Sequence, residues 1–252
     1  MYDQSLLISL GFKFGKNGAH SARSMMLVEL STLFAARPLE ANRADYQQDV
    51  ELYNLLHKSS ENARKLTFRH LIDLYGMSPD IPLFRVFRQL WELSEEAQPL
   101  LALQIALVRD PLLRTSWPLI QHLPQGAVLP REEVEHCLSQ EDPERFSPAS
   151  LKSFAQNING SWTQAGFLQG KAKKIRSNPK VNYVNAAFAL FLGHCEGFSG
   201  KGLFNTPWFG LLQQDKAVGY ELAYLASLHG LITYKQASGV VEVRFPNWSM
   251  TE

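Results

Sequence analysis

The densest run of chemistry-bearing side chains is Lys171-Ala-Lys-Lys-Ile-Arg176, with Asn178 and Lys180 just beyond it. Between Arg145 and Gln214 the cations are Arg145, Lys152, Lys171, Lys173, Lys174, Arg176, Lys180 and Lys201, and the sole anion is Glu196. Cations without interleaved carboxylates attract phosphate backbones, and that attraction weakens with salt. The chemistry on offer is binding to nucleic acid, against the plainer alternative of a solvated basic surface. On this reading Lys152, Lys171, Lys173, Lys174, Arg176 and Lys180 face phosphates, and the 171–180 run is a loop from which long side chains reach outward. A smaller cluster, Lys58, Arg64, Lys65 and Arg69, lies on and just before a helix predicted at Glu61–Tyr75. Lys65 and Arg69 are four apart and share a face, while Ser59, Ser60 and Asn62 offer donors at the helix start. Arg64, Lys65 and Arg69 therefore join the candidate contacts. The competing use of the same residues is a pair of ordinary helix-surface ion pairs, Glu61–Lys65 and Arg69–Asp73.

Other chemistries fail on spacing. Gly11-Phe-Lys-Phe-Gly15-Lys16-Asn17 is one residue short of a phosphate-binding loop, and Asn17 stands where the magnesium-binding hydroxyl belongs. His136-Cys137 and His194-Cys195 are adjacent pairs, and neighbours on a helix point about 100° apart, so they chelate poorly together. His194-Cys-Glu196 lacks the Cys-x-x-Cys of a deaminase site, and there is no nucleophile elbow or carboxylate cluster for a two-metal nuclease. The expectation is a protein without metal, cofactor or catalytic residues. The five tryptophans lie mainly among apolar neighbours and are expected in the core. Trp162, between Lys152 and the basic run, is the one that could stack on a base, against the plainer reading that it too packs in the core.

The elements that must carry these residues are mostly helices. Apolar positions at three-to-four spacing predict helices over 21–36, 45–57, 61–75, 83–93 and 100–109, with a shorter one between Pro111 and Pro118. Residues 121–148 break the pattern with Pro124, Gly126, Pro130, Pro143 and Pro148 and six carboxylates. A domain boundary is expected there, with a short helix over 131–138. Ser147-Pro148 and Thr206-Pro207 are each a cap followed by proline at the first helical position. Further helices are expected over 148–164, 182–195, 208–213 and 218–228. Two β-rich runs, 231–234 and 240–245, flank Ala237-Ser-Gly239 and predict a hairpin. Helices followed by a terminal hairpin read as a winged-helix-like unit, whose exposed tip carries Lys235. The fold class is mainly α: an N-terminal helical bundle over 1–145, then a basic winged-helix-like domain over 146–252 ending in a β-hairpin.

With 45% hydrophobic and 19% charged residues, the chain has ordinary globular usage and a net charge of +1 that averages regions of opposite sign. Two cysteines are too few for a disulfide framework, which fits a reduced cytoplasm. No signal peptide is expected, and the most apolar stretch, Val184–Leu192, is roughly half a membrane span.

The order of several segments resembles the small BrxA family of BREX phage-defence proteins. These are Gly18–Phe34, Ser59-Ser-Glu-Asn-Ala-Arg-Lys-Leu-Thr-Phe-Arg-His-Leu71, Leu90-Trp91 and the 100–108 helix. The last is Ser150-Leu-Lys-Ser-Phe-Ala-Gln-Asn-Ile-Asn-Gly-Ser-Trp-Thr-Gln-Ala-Gly-Phe-Leu168. The resemblance implies a first part similar to the antitermination factor NusB, a winged-helix-like second part, double-stranded DNA as ligand, and work beside other defence proteins. The leading expectation is a non-enzymatic DNA-binding accessory protein. The alternative is a protein-interaction adaptor in a defence complex that touches no nucleic acid.

Overall fold

A computed structural model describes residues 4–248. The first half is built of α1 (Gln4–Leu10), α2 (Leu27–Ala36), α3 (Arg43–Gln47), α4 (Glu61–Tyr75), α5 (Pro82–Trp91), α6 (Gln98–Arg109), α7 (Pro111–Thr115) and α8 (Trp117–His122). Then come β1 (Val128–Leu129), α9 (Arg131–Ser139), α10 (Pro148–Gln164), β2 (Leu168–Gln169) and β3 (Lys174–Arg176). The chain finishes with α11 (Tyr183–Cys195), α12 (Pro207–Gly210), α13 (Lys216–Leu228), β4 (Thr233–Ala237) and β5 (Val240–Arg244). The protein is mainly helical, as its periodicity predicts, and among the described residues no helix is long and apolar enough to cross a membrane.

Local signals account for the best-predicted helices. Ser60 Oγ accepts the Ala63 amide at 3.1 Å to start α4, and Gly76 at φ +91° ends it in a conformation that favours glycine. Ser147 Oγ accepts the Ser150 amide at 3.2 Å to start α10, and Thr206 caps α12 in the same way. Two expectations need correction. The helix expected over 21–36 begins only at Leu27, because Met26 is left-handed at φ +54°. The amides of Met25 and Leu27 are taken by side chains of α10, Ser161 Oγ at 2.8 Å and Gln164 Oε1 at 3.2 Å. The helix expected over 45–57 runs through α3 into one π-helical turn, Gln48–Leu52, and stops. Asn54 then turns left-handed at φ +52° and bonds the backbone of Lys58 in both directions.

One apolar core runs across the 145/146 position. Phe34, Tyr46, Phe84, Phe87 and Trp91 form an aromatic cluster in the first half, and Phe188 of α11 joins it against Phe87 with ring centroids 6.3 Å apart. Gln104 of α6 donates to the Asn185 carbonyl at 3.0 Å, and Asn185 donates to the Ala97 carbonyl at 3.0 Å. The proline- and acid-rich 121–148 segment contains β1 and α9, and α9 packs along α10. On α10, Asn157, Ser161 and Gln164 recur at helical spacing, and each bonds into residues 20–27. Helix α10 thus holds the irregular N-terminal segment by hydrogen bonds that no local sequence rule announces.

The strands form two sheets. One is three-stranded with β3 central, antiparallel to β1 (Val128 opposite Ile175) and to β2 (Leu168 opposite Arg176). The other is the predicted C-terminal hairpin, β4 paired with β5 from Thr233–Arg244 to Ala237–Val240. Its turn is only Ser238-Gly239, both at positive φ (+48° and +79°), the geometry whose twist matches the flanking strands. The expected tip at 235–239 is exposed throughout, but Lys235, Gln236 and Ala237 are strand residues.

Candidate nucleic-acid interface

The run 171–180 is not the loop that its composition predicts. Its first half is the turn of the β2–β3 hairpin and its middle is strand β3. Gly170, at φ +94°, lies so close to the Lys173 carbonyl that a Cβ would collide with it, so the turn is tight. Lys171, Ala172 and Lys173 stand exposed at its apex, and neither lysine makes an ion pair among the described residues. Lys174 is half-buried and donates to the Gly170 carbonyl at 2.7 Å, and burial lowers its pKa. A strand of three residues is too short for alternation to mark it in the sequence.

Arg176 must be removed from the phosphate-facing set. It is 2% exposed, and its guanidinium donates to the carbonyls of Ile120 (3.2 Å), Phe167 (3.1 Å) and Ser177 and to Gln213 Oε1 (2.8 Å). Its charge also stands over the Phe167 ring, 5.2 Å from the centroid. Arg176 ties the hairpin to α8 and to the segment after α12, so it positions Lys171 and Lys173 without presenting itself. Trp162 takes the plainer of its two readings, a place in the core. It is fully buried, stacks on Trp117 at 5.5 Å, and donates its indole N–H to Ser116 Oγ at 2.8 Å. No base can reach it.

The remaining candidates are dispersed. Lys152 is exposed on the first turns of α10. Lys180 is exposed but lies 3.2 Å from Glu96, an exposed pair that contributes little. Lys65 pairs with Glu61 at 2.6 Å, and Lys58 pairs with Glu29 at 2.8 Å, so the α4 cluster is largely neutralised by its own surroundings. Arg64 is half-buried. The Arg69–Asp73 pair of the competing reading does not form: Asp73 is taken by Lys13 at 2.9 Å, and Arg69 stands exposed without an ion pair among the described residues. Lys235 sits directly across from Glu242 in the strand register, but the ion pair of Glu242 is with Arg244, so the C-terminal hairpin carries only one cation in excess.

A constellation that sequence reading missed lies at the heart of the molecule. Asp110 Oδ2 stands 2.8 Å from His20 Nδ1, and His20 Nε2 stands 2.7 Å from Ser161 Oγ. The order carboxylate, imidazole, hydroxyl is that of a hydrolase relay. All three side chains are at most 1% exposed, and Ser161 Oγ already accepts the Met25 amide, so this relay presents no face to a substrate. It serves as a tie between residues 18–27, the α6–α7 junction and α10. Burial alone would raise the Asp110 carboxyl, but the adjacent His20 ring and the amides of Leu113 and His20 outweigh that and hold it below its ordinary value. Gly18 is required here by close approach, since a Cβ would overlap the Asp110 carboxylate. Of this network only the Asp110-Pro111 helix start is legible in sequence.

Among the described residues no three histidines, cysteines or carboxylates come together as metal ligands. Burial pushes both thiols up, Cys195 most, which suits neither a nucleophile nor a ligand. Treatment with EDTA is therefore expected to leave the melting temperature unchanged. A large drop, with zinc found by elemental analysis, would overturn that expectation. No protein-family model and no curated protein matches the chain.

Proposed function

We propose that this chain is a non-enzymatic, duplex-DNA-binding accessory protein of a prokaryotic phage-defence system of the BREX kind, acting in the cytoplasm beside other defence proteins. The observation that carries the reading is the β2–β3 turn: Lys171 and Lys173 exposed, without an ion pair among the described residues and held out on a tight hairpin, in a stretch without a carboxylate from Phe146 to Cys195. Preorganised cations lose less freedom on meeting a phosphate than cations on a floppy loop. Helices α11, α12 and α13 followed by the β4–β5 hairpin are consistent with a winged-helix order, and the packed helices α4–α6 with a NusB-like bundle. In this reading the β2–β3 hairpin with its four cations, rather than the β4–β5 hairpin with two cations and one carboxylate, meets the DNA backbone.

The experiment is an electrophoretic shift on duplex DNA at two salt concentrations. Lys171→Ala with Lys173→Ala is expected to weaken binding roughly tenfold and to flatten the salt slope by about two. Lys235→Ala is expected to change affinity much less, because it is a lone lysine on a strand opposite Glu242 rather than one of two on a turn apex. Unchanged affinity and slope in the double variant would sink the proposal.

A second reading draws support from α13. Its exposed face carries Ala217, Glu221, Tyr224 and Leu228, the last two being 53% and 64% exposed. A helix entering a groove of DNA seldom displays a carboxylate beside two large apolar groups, whereas a protein-docking helix does. The adaptor function fits this face, and it becomes the whole function if the double lysine variant binds as well as the wild type.

A further inference from the structure

We propose that the cleft between residues 13–21 and the C-terminal half of α4 is a binding pocket for a phosphate group. Its volume is about 450 Å³, and its walls hold Lys13, Arg69, Arg109, His70 and Asp73. Three permanent cations face one carboxylate there, and that carboxylate is already engaged by Lys13. Arg69 is exposed at the rim with neither an ion pair nor a hydrogen bond among the described residues.

The floor makes the stronger case. Arg109 is 6% exposed and has no carboxylate partner: it donates to the carbonyls of Gly11 (2.6 Å) and Ile72 (3.2 Å), and its Nε has no hydrogen-bond partner. His70 is 8% exposed, and its Nδ1 is likewise without a partner. Arg109 has only two carbonyls and the charge of Asp73, itself paired with Lys13, to offset its burial. A buried cation without an ion pair and an orphaned ring nitrogen each carry a desolvation cost that an anion in the cleft would reduce. Burial first, and then the charges of Arg69 and Arg23 against that of Asp73, hold the His70 imidazole below its usual pKa. Arginine's planar fork matches two oxygens of a phosphate, so Arg69 at the rim and the field of Arg109 beneath favour a tetrahedral dianion over chloride. The cleft is larger than one phosphate, so the group arrives as a phosphoester, either a mononucleotide or the terminal phosphate of a nucleic acid. No residue of the basic hairpin lines it, so this pocket stands or falls independently of the proposed DNA face.

The test is thermal unfolding of the full chain in inorganic phosphate against chloride at equal ionic strength. The melting temperature should rise with phosphate concentration in the way that saturable binding to the folded state dictates. Arg69→Ala should melt like the wild type in chloride and lose the rise in phosphate, and Arg69→Lys should recover part of it. The His70 ring resonances should move on phosphate addition in the wild type and stay still in Arg69→Ala. Competition by a nucleoside monophosphate, or by a 5′-phosphorylated but not a 5′-hydroxyl duplex, then identifies the source of the group. No rise above chloride would overturn the pocket. So would an equal rise in Arg69→Ala, which would mean general exclusion of phosphate from the surface.

Discussion

Asp110→Ala is expected to cost about 3–5 kcal/mol of folding stability, the range for removing one partner from a buried charged network. The carboxylate accepts from the amides of His20 (3.0 Å) and Leu113 (3.0 Å), and it also stands against the His20 ring. Truncation orphans those buried groups, and it also uncaps α7. Gly18→Ala should destabilise by the same route, because its Cβ would push the carboxylate out of register. The pH dependence has a definite sign. The Asp110 pKa is depressed in the folded chain, so its contribution is present above the ordinary value of 3.8 and is lost as pH falls through the lower folded value. Asp110→Asn should therefore lower stability near neutral pH and flatten the acid limb of the unfolding curve. Urea melts at pH 7 and pH 3 decide the matter. A loss below about 1 kcal/mol in Asp110→Ala, or an unaltered acid limb in Asp110→Asn, would show that the network is incidental.

Arg176→Ala is expected to be nearly as damaging, at about 3 kcal/mol or more, whereas Lys171→Ala and Lys173→Ala should each stay within about 0.5 kcal/mol of wild type. The difference follows from surroundings alone. Losing the Arg176 guanidinium strands the carbonyls of Ile120, Phe167 and Ser177 inside the protein and cuts the link to Gln213. Losing an exposed lysine strands nothing. Equilibrium urea unfolding of the three single variants gives the comparison directly, and an Arg176→Ala protein as stable as the wild type would refute the anchoring role. A variant that includes Arg176 loses binding through a disordered hairpin as readily as through lost charge, so the DNA-binding test is confined to Lys171 and Lys173.

Most helices, their caps and the C-terminal hairpin were legible because the interactions that create them close within a few residues. Ser60 and Gly76 delimit α4, Ser147-Pro148 starts α10, and Ser238-Gly239 turns β4 into β5, each written in adjacent letters. Where a helix start was misread, at residues 21–26, the competing partners were Ser161 and Gln164, far along the chain.

The sequence by itself determined a mainly helical chain, an apolar core rich in aromatic residues, and a basic stretch poor in carboxylates. Only the tertiary structure decided which of those cations face water. Lys171 and Arg176 look alike in sequence, yet one stands on a turn apex and the other is bonded to three carbonyls, because strand β3 pairs with β1 across α9 and α10. The same holds for His20, Asp110 and Ser161, and for the cleft of Arg69, Arg109 and His70. A charged or polar side chain carries no local mark of its partner, and its role is set by groups that only the packed fold brings within 3 Å of it.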